Sequence, residues 1–354
     1  MRRRPLAGAV LWASSLFSCT GGANPKDLDT SGALDTAETV ETNESDTGET
    51  ADTDTAVEET GESGGDTGDT DTDDSGGDPH VWVAVSVDLI EACGLSDSGK
   101  ILCWGTPSAG NDGAPLGDWG EMEVGRFHGC ALDAAGAATC WGSQSMHGVS
   151  YDWGQASPPA GALHGLSSGS VQSCALDEGD QLVCWGYLDH PSWVPPGGAY
   201  EQVSAGWSQS CALTTDGTVD CWGNPPGDID YEGRYAGVTS GGCHVCLLRS
   251  DGVVRCWGSF YQDTTIVPDG YQFTSISAGF EATCGITTSG EVVCWATGGE
   301  GGLYTYLTTH EPTGNDWVQV SVGAAVACAL SASGEISCFG QTEFYGLDAI
   351  PDPE

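Results

Sequence analysis

In Ser210-Cys211-Ala212-Leu213-Thr214-Thr215-Asp216-Gly217-Thr218-Val219-Asp220-Cys221-Trp222-Gly223, apolar residues and cysteines recur symmetrically about Asp216. Folded there, the stretch becomes a β-hairpin in which Leu213 faces Val219 and Cys211 faces Cys221. Gly217 supplies the left-handed residue that a three-residue hairpin loop requires. The same ten-residue offset joins Cys93 with Cys103, Cys130 with Cys140, Cys174 with Cys184, Cys246 with Cys256, Cys284 with Cys294 and Cys328 with Cys338, which makes seven pairs in all. An apolar rung accompanies each: Leu95 with Ile101, Leu132 with Ala138, Leu176 with Leu182, Leu248 with Val254, Ile286 with Val292 and Leu330 with Ile336. Glycine occupies the turn in six copies, at Gly99, Gly136, Gly217, Gly252, Gly290 and Gly334, whereas the third reads Gly179-Asp180 and must turn differently.

Successive first cysteines lie 35 to 44 residues apart, the period of a propeller blade that cannot bury its own faces and must stack on its neighbours. A β-like run precedes each hairpin, as in Tyr200-Glu201-Gln202-Val203-Ser204-Ala205-Gly206 and Trp317-Val318-Gln319-Val320-Ser321-Val322-Gly323. Each copy therefore has at least three strands, with room for a fourth in the longer loops. The expected fold is all-β, a seven-bladed propeller over residues 81–354 beginning at Val81-Trp82-Val83-Ala84-Val85-Ser86-Val87.

Two different segments precede it. Residues 1–18 read as a signal peptide, with Arg2, Arg3 and Arg4 before an apolar stretch from Leu6 to Phe17 that is too short to span a membrane. Leu16-Phe17-Ser18-Cys19 resembles the lipobox of bacterial lipoproteins, which implies lipidation at Cys19; Phe17 is bulkier than the usual residue, and cleavage nearby with Cys19 unmodified is the other reading. Residues 19–80 form a linker of Asp, Thr, Glu, Gly and Ser, with 19 acidic residues and no aromatic between Thr20 and His80. It is expected to be a disordered, self-repelling tether. Asp69, Asp71 and Asp73 echo a calcium loop, but the sixth position has no glycine and His80 stands at the twelfth in place of Glu, so a solvated acidic linker is expected.

Export sends the paired cysteines to an oxidising compartment, where cysteines opposite one another on antiparallel strands can be bridged. Seven disulfides are expected; buried thiols packed as small hydrophobes are the alternative. Seven pairs and a lipidated Cys19 account for all sixteen cysteines but Cys243, which reads as a leftover thiol.

The recurring Cys-Ala-Leu, turn Gly and Cys-Trp-Gly, preceded by a strand ending in Gly, resembles the regulator of chromosome condensation (RCC1) repeat family. Gly125 to Gly142, Gly206 to Gly223, Gly241 to Gly258 and Gly323 to Gly340 carry the resemblance, with Phe339 replacing the usual Trp. It implies a seven-bladed β-propeller. Members include a guanine-nucleotide exchange factor, other signalling proteins and a secreted bacterial inhibitor of β-lactamases, so the fold does not fix the function. The family's Gly-Gln-Leu-Gly stretch survives only as a trace in Asn111-Asp112-Gly113-Ala114-Pro115-Leu116-Gly117, and exchange activity is not carried over.

No enzyme activity, cofactor or metal is expected. His128 and His244 share one repeat position, which favours a structural role. Cys243-His244-Val245-Cys246 suggests a redox or metal motif only superficially, because Cys246 belongs to a blade pair. The net charge of −42 argues against nucleic acid. The aromatics between hairpins, namely Trp119, Tyr151, Trp153, Tyr187, Trp193, Tyr231, Tyr235, Phe260, Tyr261, Tyr304 and Tyr306, include candidate interface anchors, although most are expected to pack over their own blades. The reading is an exported, lipid-anchored, monomeric scaffold of the cell envelope, an outer-membrane lipoprotein facing the periplasm or the exterior. It would bind an unidentified protein or glycan and touch the membrane through the lipid alone. The rivals are an extracellular enzyme with a site in the propeller channel, a purely structural surface protein and, by family resemblance only, a guanine-nucleotide-exchange-like regulator.

Overall fold

The computed structural model describes residues 80–353, apart from 90, 107–112, 143–144, 147–148, 151–152, 189–190, 228, 230, 232, 259–264 and 297–306. Cys19, the signal peptide and the linker through residue 79 lie outside the described residues, as do Tyr151, Phe260, Tyr261, Tyr304 and Tyr306.

Seven three-stranded antiparallel sheets follow one another along the chain. Their inner strands are Trp82–Asp88, Trp119–Val124, Leu163–Ser168, Tyr200–Ala205, Gly237–Ser240, Phe273–Ala278 and Trp317–Val322. The middle strands are Glu91–Ser96, Gly129–Asp133, Gln172–Asp177, Gln209–Thr214, His244–Leu248, Ala282–Thr287 and Val326–Ser331. The outer strands are Ile101–Gly105, Ala138–Trp141, Leu182–Gly186, Val219–Gly223, Val254–Gly258, Val292–Ala296 and Ile336–Gly340. Among the described residues no sheet gains the fourth strand for which the loops leave room, and the only further strand pair is the short Ser145–Met146 with Val149–Ser150.

The register follows the sequence pattern. Cys211 pairs with Cys221 and Leu213 with Val219, and the six sibling hairpins repeat both rungs. Every cysteine pair stands at bonding distance, with S–S separations of 2.00–2.10 Å: Cys93 with Cys103, Cys130 with Cys140, Cys174 with Cys184, Cys211 with Cys221, Cys246 with Cys256, Cys284 with Cys294 and Cys328 with Cys338. The two members of a pair differ in burial. The middle-strand cysteine is fully buried in all seven blades, whereas its outer-strand partner is half-buried at Cys103, Cys140, Cys184, Cys221, Cys256 and Cys338 and buried only at Cys294. The outer strand is the edge of its sheet, and no further strand pairs with it among the described residues. In the third hairpin Asp180 takes the left-handed position (φ 57°) that glycine fills elsewhere, as at Gly217 (φ 84°). Asp tolerates that conformation better than most side chains.

The apolar core is divided among seven seams. Cys211 and Leu213 of the fourth blade pack on Val238, Val245 and Leu247 of the fifth. Cys93 and Leu95 of the first meet Met122, Val124 and Trp141 of the second. The seventh seam closes the circle, burying Cys328 and Leu330 against Trp82, Val85 and Trp104 of the first blade. Each blade thus presents its cysteine rung to one neighbour and the Trp or Phe after its second cysteine to the other.

Backbone bonds reinforce every seam. At one end of the ring an amide at or just before the start of each inner strand donates to the hairpin turn of the preceding blade, from Trp119 to Gly99 O (2.9 Å) around to Trp82 and Gly334 O (3.2 Å). At the other end a second belt joins the inner-to-middle turns: Arg126 N to Gly169 O, Trp207 N to Gly241 O, Gly242 N to Gly279 O and Phe280 N to Gly323 O. Glycine ends the inner run because the next blade's carbonyl is so near; a Cβ on Gly206 would lie 2.7 Å from Gly241 O.

Candidate functional site

The inner strands enclose a central cavity of about 410 Å³. Two residues before the strand-ending glycine, six blades carry a hydroxyl: Ser86, Ser167, Ser204, Thr239, Ser277 and Ser321. Each accepts a backbone N–H from the next blade, at Val124 (3.0 Å), Ala205 (2.9 Å), Ser240 (2.8 Å), Ala278 (2.9 Å), Val322 (3.2 Å) and Val87 (2.8 Å) respectively. The second blade breaks the ring with Glu123, which accepts a bond from Ser86 Oγ at 2.8 Å. Burial pushes its carboxyl up to about 7, opposed by the Ser86 bond and assisted by Glu121.

Two residues earlier, Gln202 and Gln319 each clamp the next blade through both amide atoms, on Val238 and Val85. Glu121 occupies that position in the second blade and makes only the accepting half, from Leu166 N at 3.1 Å. Asp88 stands where the other six blades have the strand-ending glycine. Its Oδ2 is buried without a hydrogen-bond partner. Burial raises this carboxyl to about 7 despite the nearby Arg126 guanidinium. Leu89 beside it is held at φ 21°, outside the regions open to L-residues.

The residue after each strand-ending glycine alternates in size around one mouth of the cavity: Arg126, Ser170, Trp207, Gly242, Phe280 and Ala324 in blades two to seven. The three large side chains meet across the small ones. Arg126 lies 4.1 Å over the Trp207 ring, and Trp207 and Phe280 stack at 4.2 Å between centroids. Gly242 makes room, since a Cβ there would meet the Phe280 ring at 2.7 Å. This cation–π and aromatic sandwich spans non-adjacent blades and so caps that end of the channel.

The two faces of the ring differ. One carries the short hairpin turns. The outer strands end at the other, beside the inner-to-middle turns, as Tyr187 N to Val171 O (3.0 Å) and Asn224 N to Ser208 O (2.7 Å) show. The long connections leave from that face. Trp153, Tyr187 and Trp193 form an edge-to-face row there at 5.8 and 6.1 Å, all half-buried. Phe344, 76% exposed, meets Tyr345 edge-on in the short helix Thr342–Tyr345. Of the other aromatics singled out from sequence, Tyr235 is buried, Trp119 is half-buried and donates to Pro115 O, and Tyr231 is exposed.

His128 and His244 are structural, as their repeat position suggested. Each is fully buried and bonded to a hydroxyl of the next blade, His128 to Ser173 (2.6 Å) and His244 to Thr283 (2.8 Å). At the equivalent position Gln172 donates to the Ser210 hydroxyl of the next blade, and Gln209 donates to the next blade's Gly241 and His244 carbonyls. Burial lowers both imidazoles to about 4, so they are neutral at pH 7. The reading of Cys243 as a leftover thiol is corrected: it is disulfide-bonded, and no described cysteine is free. The apparent Cys243-His244-Val245-Cys246 metal motif therefore has no thiolate to offer. The one close cluster of metal-ligand residue types among the described residues, Glu91 with Cys93 and Cys103, includes two sulfurs already joined to each other.

Sequence reasoning missed Glu123, Asp88 and the Arg126–Trp207–Phe280 sandwich. The available signal was departure from the repeat: an acid where siblings have a hydroxyl or glycine, and bulk alternating with small residues.

The regulator of chromosome condensation (RCC1) repeat model matches residues 200–225 and 273–295, within the fourth and sixth blades. No curated protein matches the chain. Among solved structures it is similar to the entire ectodomain of the Physcomitrella patens receptor kinase CR4, with 24% identity, 74% of this chain and 73% of that chain covered, and a TM-score of 0.59. The CRINKLY WD40 ectodomain of the Arabidopsis thaliana receptor kinase ACR4 gives 23% identity, coverage of 74% and 96%, and a TM-score of 0.58. Prp20p from Saccharomyces cerevisiae, whose structure was described with its binding to Gsp1p and histones, gives 14%, 73% and 82%, and 0.54. These likenesses establish the propeller fold.

Proposed function

We propose that this seven-bladed RCC1-repeat propeller is a non-enzymatic binding scaffold, exported and lipid-anchored, that engages a protein partner with its aromatic loop face. The observation that carries this is the inequality of the two faces. The hairpin turns are short and polar. The opposite face presents the Trp153–Tyr187–Trp193 row and the exposed Phe344 on connections that differ from blade to blade. Aromatic side chains on a rigid frame are favoured interface anchors, because they bury much surface for little lost freedom.

Export is supported by the signal-like residues 1–18 and by seven cysteine pairs at bonding distance, which suit an oxidising compartment. No helix among the described residues is long and apolar enough to cross a membrane. Attachment would then fall to a lipid on Cys19. Cys19 is the one cysteine of the chain beyond the fourteen in blades and Cys243, so a lipid on Cys19 competes with an intrachain disulfide to Cys243, and fractionation decides between them. In cells, the protein should fractionate with membranes and Cys19→Ala should release or misprocess it; unchanged fractionation removes the anchor. For the binding face, photo-crosslinkers at Trp193 and Phe344 should trap one protein that crosslinkers at Ser98 and Asp251 on the hairpin face do not. Equal trapping from both faces, or none, overturns the assignment.

A further inference from the structure

The wall of the channel departs from its own repeat in a way that the frame does not require. Six hydroxyls use their oxygens to accept a neighbouring backbone N–H. Ser86 donates its proton to Glu123. The hydroxyls of Ser167, Ser204, Thr239, Ser277 and Ser321 donate to no acceptor among the described residues, which leaves a ring of O–H groups around a cavity of about 410 Å³. Glu123 is the one carboxyl in this ring, where a hydroxyl would close the seam as it does in every other blade.

The cavity has one blocked end. Trp207 and Phe280, locked to Arg126, cross the mouth on the loop face and line the cavity there. The opposite end opens between the starts of the inner strands, where Glu201 and Val318 are exposed. The described lining includes no Lys, Arg or His, which disfavours an anion. Buried carboxyls lose their charge readily, so a cation is not demanded either. The remaining chemistry is that of a molecule whose every polar group both donates and accepts, with apolar C–H surface to set against an aromatic end wall.

We propose that the central channel is a one-ended pocket for a small neutral polyol of mono- or disaccharide size, held by the ring of wall hydroxyls with Glu123 as its principal acceptor and Trp207 and Phe280 as its floor. The ligand enters from the hairpin face. The site lies apart from the aromatic loop face and does not depend on the protein partner proposed above.

Isothermal titration calorimetry of the full oxidised chain against neutral mono- and disaccharides and linear polyols tests it. At least one should bind, and Glu123→Ser should weaken that ligand by about tenfold or more, the loss of a hydrogen bond to a charged or strongly polarised acceptor. Because serine is what sibling blades carry there, this variant should fold. Glu123→Gln, which keeps an acceptor, should retain more affinity than Glu123→Ser. Trp193→Ala with Phe344→Ala should leave polyol binding intact while abolishing crosslinks on the loop face, which separates the two readings. No binding from any member of the panel, or equal binding by wild type and Glu123→Ser, overturns the proposal.

Discussion

Replacing Glu123 with serine should change stability in a pH-dependent way whose sign follows from the channel wall. In the folded chain burial lifts this carboxyl from its ordinary 4.5 to about 7. It therefore binds more protons folded than unfolded between those values, and the native state loses stability as pH rises from about 4.5 to about 7. At about 1.4 kcal/mol per pH unit the gap corresponds to about 3 kcal/mol. The side chain is only half-buried and borders the channel, and water there screens it, so about 1–2 kcal/mol is the better expectation. Serine carries no such charge, and its hydroxyl can accept Ser168 N–H as Ser167 accepts Ala205 N–H. Melting curves of the oxidised full chain at pH 4 and pH 8 should show the advantage of Glu123→Ser growing by about 1–2 kcal/mol, or roughly 3–6 °C in Tm for a domain of this size. A difference that does not vary with pH would refute the link between burial of Glu123 and stability. So would a wild type that gains on the variant at high pH.

Two further expectations rest on the seams. His128 and His244, held near 4 by burial, contribute stability that is present above about 6.5 and lost as pH falls toward 4. Replacing either with Gln, the residue its siblings use, should reduce the loss between pH 7 and pH 4 by about 1–3 kcal/mol. Acid unfolding curves that coincide with wild type would count against neutral buried imidazoles. Gly206→Ala would set a Cβ 2.7 Å from Gly241 O and 2.9 Å from Gln209 O. It should cost about 1–3 kcal/mol by denaturant unfolding, whereas Gly197→Ala, with nothing within 4 Å, should stay within about 0.5 kcal/mol.

What the sequence disclosed was chiefly what is local. The rungs joining Cys211 to Cys221 and Leu213 to Val219 lie within one hairpin, so their spacing alone fixes which residues face each other. The same spacing places Cys140, Cys184, Cys256, Cys294 and Cys338 opposite their partners without reference to any other blade. Ring closure was legible from the number of copies, because an exposed blade edge is avoided only if the first blade meets the last. The channel was not legible, since Ser204 becomes a seam residue only when Ser240 N arrives from the next blade. The same holds for Trp207, whose partners Arg126 and Phe280 are 81 and 73 residues away. Cys243 was misread for a related reason: counting cysteines cannot show where a bond forms.

The division of labour between disulfides and belts explains why the variable positions can be variable. Each disulfide closes a loop of only ten residues inside one hairpin, which restrains that blade's unfolded ensemble by about 2–3 kcal/mol and does nothing to join it to its neighbours. Joining falls mainly to the seam clusters, the two backbone belts and the His and Gln links, to which the long connections contribute a few buried residues, Ile229, Tyr235 and Leu307. Outside those anchoring residues the connections can differ in length and aromatic content. The channel wall is less free, because the hydroxyls there also hold the seams. A carboxyl at Glu123 gives up one such link and places an ionisable group in a confined site. A change with a structural cost at a seam position is better explained by a ligand than by the frame.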